Sequence, residues 1–147
     1  MTTMQKVFIL NGPNLARLGT REPEIYGSMT FDELATTCRE FATELGLEAD
    51  VRQTDSEAEL ISWIHEAADD VVPVILNPAA FTHYSFALRD ACAMLTAPTI
   101  EVHLSNPLSR EEFRHTSVVS GVVSGTIAGF GVNSYLLALR QLADRIR

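Results

Sequence analysis

Short apolar runs alternate along the chain with longer segments in which apolar residues recur every three or four positions. The runs are rich in β-branched and aromatic residues, which is typical of buried strands. They predict five strands, over residues 7–10, 47–54, 73–76, 99–102 and 125–130. The second run is half polar, so we expect it at an edge of the sheet.

Helices are predicted between these strands and after the last one. Thr30 and Glu33 form the pattern of a capping box, which marks a helix start. Ser56 and Glu59 repeat this pattern before the second helix. The predicted helices run from Thr30 to Gly46, from Ser56 through Ala68, over 85–95 and over 132–147, and residues 108–120 have a polar turn but no long helix.

Alternation of strands and helices predicts an α/β fold. Parallel strands need crossover connections, and right-handed crossovers place helices on both faces of the sheet. We therefore predict one domain over residues 1–147. Its fold is a flavodoxin-like, doubly wound, five-stranded parallel sheet with strand order 2-1-3-4-5. Ligands are then expected over the carboxyl ends of strands 1, 3 and 4.

Charge and composition exclude several classes of function. The net charge of −8 argues against a nucleic-acid surface, which needs a basic footprint. No apolar run reaches the ~18 residues that span a bilayer, and the first residues lack a signal-peptide pattern. We therefore expect a cytoplasmic protein. Lys6, the single lysine beside ten arginines, precedes the first strand, which argues against a Schiff-base mechanism. Cys38 and Cys92 are expected to be buried apolar residues, and their spacing fits no metal motif.

Polar side chains follow the three strands whose ends should converge. Asn11 and Asn14 follow the first, Asn77 and His83 the third, and Glu101, His103 and Ser105 the fourth. Glu101 and His103 are two positions apart, so they point to the same side of their strand. A carboxylate can fix the tautomer of an imidazole and raise its basicity, which makes His103 a candidate general acid or base. A core histidine satisfied by a neighbour is the alternative.

The segment after the first strand is a long loop without predicted structure. Such loops are uncommon unless they are functional. It carries Arg17, Arg21 and Tyr26. A tyrosine side chain ionises near pH ~10, so a catalytic base here needs positive charge beside the phenolate. Arginines could supply that charge, although a surface position for Tyr26 is the alternative.

Other polar residues allow two interpretations each. His83 and Asp90 are seven positions apart and are expected on one side of the third helix. Either could bind a hydroxyl group, or His83 could neighbour a helix cap and Asp90 could be solvated. Arg110 and Arg114 are one helical turn apart, with Glu111 and Glu112 between them, so an ion-paired surface turn is equally possible. We interpret His65 and His115 as structural or surface residues.

Metal and cofactor motifs are weak. The histidines have no HExxH spacing, and Gly129-Phe130-Gly131 is an incomplete dinucleotide fingerprint. We expect no metal and no cofactor. The alternative function is a flavodoxin-like module that binds a nucleotide or flavin. It would need a phosphate-binding run after the first strand, where the chain has Asn11-Gly12-Pro13-Asn14.

Two long motifs resemble a known family. Asn11 to Gly27 reads NGPNLxxLGxREPxxYG, and Ile100 to Asn106 is followed by the block from Arg110 to Arg114. Both motifs are similar to those of the type II 3-dehydroquinate dehydratases. The resemblance covers essentially the whole chain. It implies that water is eliminated from 3-dehydroquinate through an enolate to give 3-dehydroshikimate, a step of aromatic amino-acid biosynthesis.

The resemblance also implies roles for residues. Tyr26 would be the base at C2, with Arg21 steadying the phenolate and enolate. Asn14 would hold a water at the enolate oxygen. His103, oriented by Glu101, would protonate the leaving C1 hydroxyl. The implied substrate-binding residues are Leu104, Ser105 and Asn77 at the carboxylate, His83 and Arg114 at the ring hydroxyls, and Asp90 at a neighbouring subunit's site.

Further implications concern movement and assembly. Residues 17–26 would act as a lid that closes over substrate. The family needs neither a metal nor an imine, and it assembles as a dodecamer of trimers. The chain departs from the family in three places near the pocket. Glycine is common where this chain has Ala79 or Ala80, a small hydroxyl residue where it has Tyr84, and a residue other than proline where it has Pro107.

Overall fold

A computed structural model describes residues 3–146 of the chain. Within these residues, strands and helices alternate as the sequence predicts. The strands are β1 (Gln5–Asn11), β2 (Leu47–Gln53), β3 (Val74–Asn77), β4 (Thr99–His103) and β5 (Gly125–Ala128). The helices are α1 (Pro23–Tyr26), α2 (Phe31–Glu44), α3 (Glu57–Asp70), α4 (Phe86–Cys92) and α5 (Asn133–Ile146).

The sheet has the predicted topology. Its strands are all parallel and follow the order β2-β1-β3-β4-β5. The predicted fold class is therefore confirmed, and the half-polar strand β2 lies at an edge. The point where the strand order reverses lies between β1 and β3. Ligands of such sheets bind above this point, at the carboxyl ends of the strands.

Two apolar layers cover the sheet. Val7 and Ile9 of β1 pack on the face covered by α2 and α5. Phe8 and Leu10 pack on the opposite face, against α3 and α4. Burial on both faces explains why β1 reads as a continuous apolar run rather than an alternating one. Cys38 and Cys92 are buried in these layers as predicted, and burial raises the pKa of each thiol to about 12.

Side-chain caps fix the starts of three helices. Thr30 Oγ1 accepts a hydrogen bond from the Glu33 amide at 3.1 Å, and Ser56 Oγ accepts one from the Glu59 amide at 3.2 Å. Ser85 caps α4 in the same way through the Leu88 amide. These caps satisfy amides that the first helical turn leaves without a partner.

The helix ends differ slightly from the predicted ones. Helix α4 ends at Cys92 instead of residue 95, and α5 begins at Asn133 instead of residue 132. The predicted end of the last helix, Arg147, lies outside the described residues. Residues 108–120 contain only short 3-10 turns, as expected. None of the helices within 3–146 has the length and apolar character that crossing a membrane requires.

Candidate active site

A cavity of about 80 Å³ lies over the carboxyl ends of β1, β3 and β4, where the fold predicts a ligand. It brings together most of the residues that the sequence singles out. Those that line it are Asn14, Arg21, Tyr26, Asn77, His83, His103, Leu104, Ser105, Arg110 and Arg114. Glu101 lies behind His103, which it contacts, and Asp90 is exposed on α4 and is not part of the lining.

A glycine allows the loops after β1 and β3 to meet beneath the cavity. The Gly12 amide donates a hydrogen bond to the Asn77 carbonyl at 2.8 Å. A Cβ atom on residue 12 would lie 2.7 Å from the Pro78 carbonyl oxygen, closer than carbon and oxygen can approach. Glycine at this position therefore lets two strand ends that carry site residues come into contact.

A chain of buried polar groups connects the cavity lining at Asn77 to the core. The Tyr135 hydroxyl donates to Asn11 Oδ1 at 2.6 Å and accepts from Asn77 Nδ2 at 2.8 Å. Burial raises the pKa of Tyr135, so this hydroxyl stays neutral and can both donate and accept. Asn77 Oδ1 accepts from the Ala79 amide at 3.1 Å. The Asn77 side chain thus holds the fold together at the cavity as well as lining it.

The segment between β1 and α2 has structure of its own, so the prediction of an unstructured loop is wrong. It contains a 3-10 turn, Leu15–Arg17, and the single-turn helix α1. Pro23 starts α1, where its missing N–H and fixed φ cost nothing. A helix of four residues is too short to show periodicity in the sequence. Tyr26 is its last residue, and Arg17 lies outside the cavity lining.

Two guanidinium groups surround Tyr26. Arg110 Nη1 donates to the Tyr26 hydroxyl at 2.7 Å and to Ser105 Oγ at 3.2 Å. The guanidinium carbons of Arg21 and Arg110 each lie 5.1 Å from the centre of the Tyr26 ring, at cation–π distance. Arg110 also lies 3.5 Å from Glu22 Oε2, which precedes α1. Positive charge is therefore concentrated on one phenol group.

An imidazole–carboxylate pair lies at the end of β4. His103 Nε2 is 2.5 Å from Glu101 Oε2, which confirms that these two side chains share one side of the strand. Glu101 is 1% exposed. Burial by itself raises the pKa of Glu101, but hydrogen bonds from His103, Ser120 and Thr82, together with the charge of His103, outweigh burial and hold that pKa below its usual value. Since Nε2 faces Glu101, the other ring nitrogen, Nδ1, is free for a ligand.

His83 and Asp90 do not share a helix, so that prediction is wrong. His83 ends the 3-10 turn Ala79–His83, whereas Asp90 lies on α4, which begins after the cap at Ser85. A tight turn followed by a new cap cannot be distinguished from one longer helix by spacing alone. His83 Nδ1 lies 2.8 Å from the Thr116 carbonyl oxygen, which can only accept, so Nδ1 carries a proton and donates it there.

Both interpretations apply to Arg114 in the segment after β4, because it forms an ion pair in a surface turn and also lines the cavity. Arg114 Nε donates to Glu111 Oε1 at 3.2 Å, which is the expected ion pair of a surface turn. Arg114 also lines the cavity. His65 and His115 are exposed, as expected.

Ala79 has a strained backbone at the edge of the cavity. Its φ angle is 51°, in the left-handed region where a Cβ atom is crowded by the following carbonyl group. The Ala79 amide donates to Asn77 Oδ1 at 3.1 Å, so this strained residue lies directly beside the buried polar groups of the site. The structure thus places a glycine-like conformation at one of the positions where glycine is common in the resembled family.

Comparison with known proteins identifies the family. The sequence model described as dehydroquinase class II matches residues 5–143. The chain belongs to this family. It is 60% identical over 142 residues to the 3-dehydroquinate dehydratase of Salinispora tropica, covering 97% of this chain and 99% of that protein. It is 58% identical over 140 residues to that of Mycobacterium tuberculosis, covering 95% of each.

Solved dehydroquinase structures have the same fold. The type II dehydroquinase from Propionibacterium acnes superposes with a TM-score of 0.95 at 56% identity, covering 98% of this chain and 99% of that one. A 3-dehydroquinate dehydratase-like protein from Bifidobacterium longum gives a TM-score of 0.77 at 45% identity, covering 98% and 99%. The resemblance found in the sequence is thus confirmed, and nothing supports the nucleotide-binding alternative.

The contact between Arg110 and Tyr26 is the feature of the site that sequence reasoning missed. The sequence indicated Arg21 as the partner of Tyr26 and left Arg110 open between a site residue and part of an ion-paired surface turn. The structure places Arg110 on the hydroxyl itself and Arg21 near the ring. The block from Arg110 to Arg114 was one of the two family motifs, and this was the signal that could have drawn attention to Arg110.

Proposed function

We propose that this chain is a type II 3-dehydroquinate dehydratase, which eliminates water from 3-dehydroquinate to give 3-dehydroshikimate in aromatic amino-acid biosynthesis. The observation that carries this proposal is a single cavity with a base and an acid. Tyr26 and His103 line this cavity. Arg110 holds the Tyr26 hydroxyl, and Glu101 holds the His103 ring. An elimination beside a ketone needs both groups, and it needs positive charge for the enolate.

Tyr26 is the base of the first step. As a phenolate, it removes a proton from C2, the carbon next to the ketone, and the electron pair moves onto the ketone oxygen as an enolate. Arg110 and Arg21 stabilise the phenolate electrostatically, and their charge remains in the cavity as the negative charge moves to substrate. Asn14 holds a water at the enolate oxygen.

His103 is the acid of the second step. The enolate collapses to the ketone, the C1–oxygen bond breaks, and His103 gives the departing hydroxyl the proton that makes it water. Glu101 orients the ring through Nε2, so Nδ1 carries the transferred proton. The product is a conjugated enone, and neither a metal nor an imine takes part.

The remaining site residues bind and enclose the substrate. Ser105 and the backbone at Leu104 hold the carboxylate, with Asn77 nearby. His83 and Arg114 bind ring hydroxyls, and their position in the cavity lining supports this role. The segment from Arg17 to Tyr26 forms a lid that excludes water. The contact between Glu22 and Arg110 gives it an anchor on the segment after β4.

We also propose that the protein works in the cytoplasm as one catalytic domain over residues 1–147, assembled as a dodecamer of trimers. The family resemblance supports this assembly, as do large apolar side chains that are more than half exposed in the single chain, among them Tyr84, Phe86 and Phe113. Asp90, exposed on α4, reaches the site of a neighbouring subunit. Light scattering on the purified protein should give a mass twelve times that of the chain, and a monomer mass would reject the assembly.

The direct test is to mix purified protein with 3-dehydroquinate and follow the absorbance of the conjugated enone. We expect a rise in absorbance, with loss of one water by mass spectrometry. A parallel sample with borohydride should stay active, because Lys6 is exposed on β1 and lies outside the cavity lining. No change in absorbance would reject the function, whereas inactivation by borohydride would reject only the imine-free mechanism.

A further inference from the structure

Three hydroxyl side chains surround the carboxylate behind His103. Thr82 Oγ1 donates to Glu101 Oε2 at 2.6 Å, and Ser120 Oγ donates to Glu101 Oε1 at 2.6 Å. Ser117 Oγ lies 2.6 Å from Thr82 Oγ1 and 3.3 Å from Glu101 Oε1. The carboxylate therefore accepts short hydrogen bonds on both oxygens in addition to the one from His103.

Backbone amides fix the direction of these hydrogen bonds. Ser117 Oγ accepts from the Val119 amide at 3.2 Å and from the Ser120 amide at 3.0 Å. A hydroxyl has two lone pairs and one proton, so Ser117 cannot accept from Thr82 as well and uses its proton as a donor, to Thr82 Oγ1 at 2.6 Å or to Glu101 Oε1 at 3.3 Å. Thr82 then has to direct its own proton to Glu101. The turn at 117–120 thus makes Glu101 the acceptor at the end of a polarised chain.

We propose that Thr82, Ser117 and Ser120 are positioning residues that keep Glu101 as a carboxylate, so that His103 keeps its Nε2 proton and presents Nδ1 to the substrate. The proposal rests on the function proposed above and assigns its acid step a set of supporting groups. A protonated Glu101 would have to donate a hydrogen bond, but its neighbours all donate to it. Without the hydroxyls, His103 alone would oppose burial, which favours the neutral acid.

The charged surroundings of Glu101 agree with this role. On the α4 side it faces Cys92, whose thiol stays neutral because burial raises its pKa to about 12. Arg89 on α4 donates to the Val118 carbonyl oxygen, in the turn that carries Ser117 and Ser120, at 2.7 Å. The ionisable hydrogen-bond partner of Glu101 within residues 3–146 is His103, and the hydrogen bonds of the cluster help to keep the pKa of Glu101 below its usual value. Besides His103, the titratable and charged side chains that line the cavity are Arg21, Tyr26, His83, Arg110 and Arg114.

Thr82 offers a matched pair of variants. Thr82→Val keeps the shape of the side chain and removes the hydroxyl, whereas Thr82→Ser keeps the hydroxyl and removes the methyl group. We expect Thr82→Val to lower kcat about tenfold or more with little change in KM, and the acidic limb of its kcat profile to move to higher pH. A hydrogen bond to a charged group corresponds to a shift of roughly one to two pH units. Thr82→Ser should keep the wild-type profile.

A measurement without substrate separates this proposal from the proposed reaction. The His103 ring signals in nuclear magnetic resonance sense protonation of Glu101 through the Nε2 contact. On acidification, the step caused by Glu101 should occur at higher pH in Thr82→Val than in wild type or Thr82→Ser. This readout does not depend on whether 3-dehydroquinate is the substrate, so its failure is distinguishable from failure of the proposed function.

Ser120 gives a second, independent pair in case Thr82→Val does not fold. Ser120→Ala removes the donor to Oε1, and Ser120→Thr retains it at a half-buried position. The same shift should appear in the alanine variant and be rescued in the threonine variant. Unchanged His103 titration in both hydroxyl-free variants would overturn the proposal. So would equal loss of kcat in the valine and serine variants at an unchanged pH profile, since that indicates a packing role alone.

Discussion

Arg110 Nη1 lies 2.7 Å from the Tyr26 hydroxyl, joining two residues that are 84 positions apart in the chain. Tyr26 belongs to the segment over the cavity, and Arg110 to the segment after β4. A second donor contact to Ser105 and a charge contact to Glu22 hold the guanidinium in place. The Arg110 side chain is only 11% exposed, so its charge acts on the phenol group through little water.

Removing Arg110 should therefore cost more than removing a surface charge. We expect Arg110→Ala to lower kcat at least ~100-fold, as loss of a well-placed charge stabiliser does, with a smaller effect on KM. Arg21→Ala should also lower kcat by at least ~100-fold, because Arg21 lies against the same ring and lines the same cavity. Steady-state kinetics with 3-dehydroquinate measures both effects.

Arg110→Lys is the control for charge alone. Lysine restores the positive charge but cannot contact Tyr26 and Ser105 in one fixed geometry. Its kcat should fall between those of wild type and Arg110→Ala. If Arg110→Ala turned over substrate at a nearly normal rate, the contact between Arg110 and Tyr26 would not contribute to catalysis.

Tyr26→Phe removes the proposed base and little else. Turnover should be abolished while 3-dehydroquinate still binds, because the ring keeps its contacts with Arg21 and Arg110. Calorimetry measures binding, and the enone absorbance measures turnover. The matched control is Tyr84→Phe, at a tyrosine that is 58% exposed and outside the cavity lining, which should keep its activity. Appreciable turnover by Tyr26→Phe would assign the base elsewhere.

Ala79→Gly should make the protein more stable. Relief of the left-handed strain at φ 51° should raise the free energy of unfolding by about 1–2 kcal/mol. The greater conformational freedom of glycine in the unfolded chain should lower it by about 0.4–1 kcal/mol. We expect a net gain of roughly 1 kcal/mol in the free energy of unfolding, measured by urea denaturation. Ala80→Gly is the control. Ala80 does not have a positive φ angle, so this variant should be less stable than wild type.

Glu101 should make stability depend on pH at the acid end. Its pKa in the folded state is depressed, so the folded state binds fewer protons than the unfolded state as pH falls below about 4.3. The stabilisation is present above that pH and is lost as the pH falls through the folded pKa. Glu101→Gln has no such titration, so between pH 6 and pH 3.5 its free energy of unfolding should decrease less than that of wild type. Equal decreases would contradict this assignment.

The sheet and its site-bearing ends could be predicted because they depend on local patterns. Runs such as 73–76 mark strands, and caps such as Thr30 mark helix starts, so the alternation and the strand order followed. The contact between Glu101 and His103 was also predictable, because a spacing of two on one strand fixes the relative direction of the side chains.

Contacts between distant segments could not be predicted in this way. Nothing near Arg110 indicates Tyr26, and Glu111 beside it suggests a simple ion pair. Helix α1 is too short for periodicity, and the 3-10 turn that ends at His83 reads as part of α4. The hydroxyl cluster has the same origin, since Thr82 and Ser120 come from segments distant in the chain and both donate to Glu101.

Tyr135 has a consequence for how the protein matures. A ribosome makes β1 and β3 before α5, and the buried polar groups of Asn11 and Asn77 need the hydroxyl that α5 supplies. Until α5 docks, Asn11 Oδ1 and Asn77 Nδ2 must form hydrogen bonds to water or turn to other partners. The sheet can form early, but Asn11 and Asn77 obtain these hydrogen bonds only when α5, which is made after the strands, packs against the sheet.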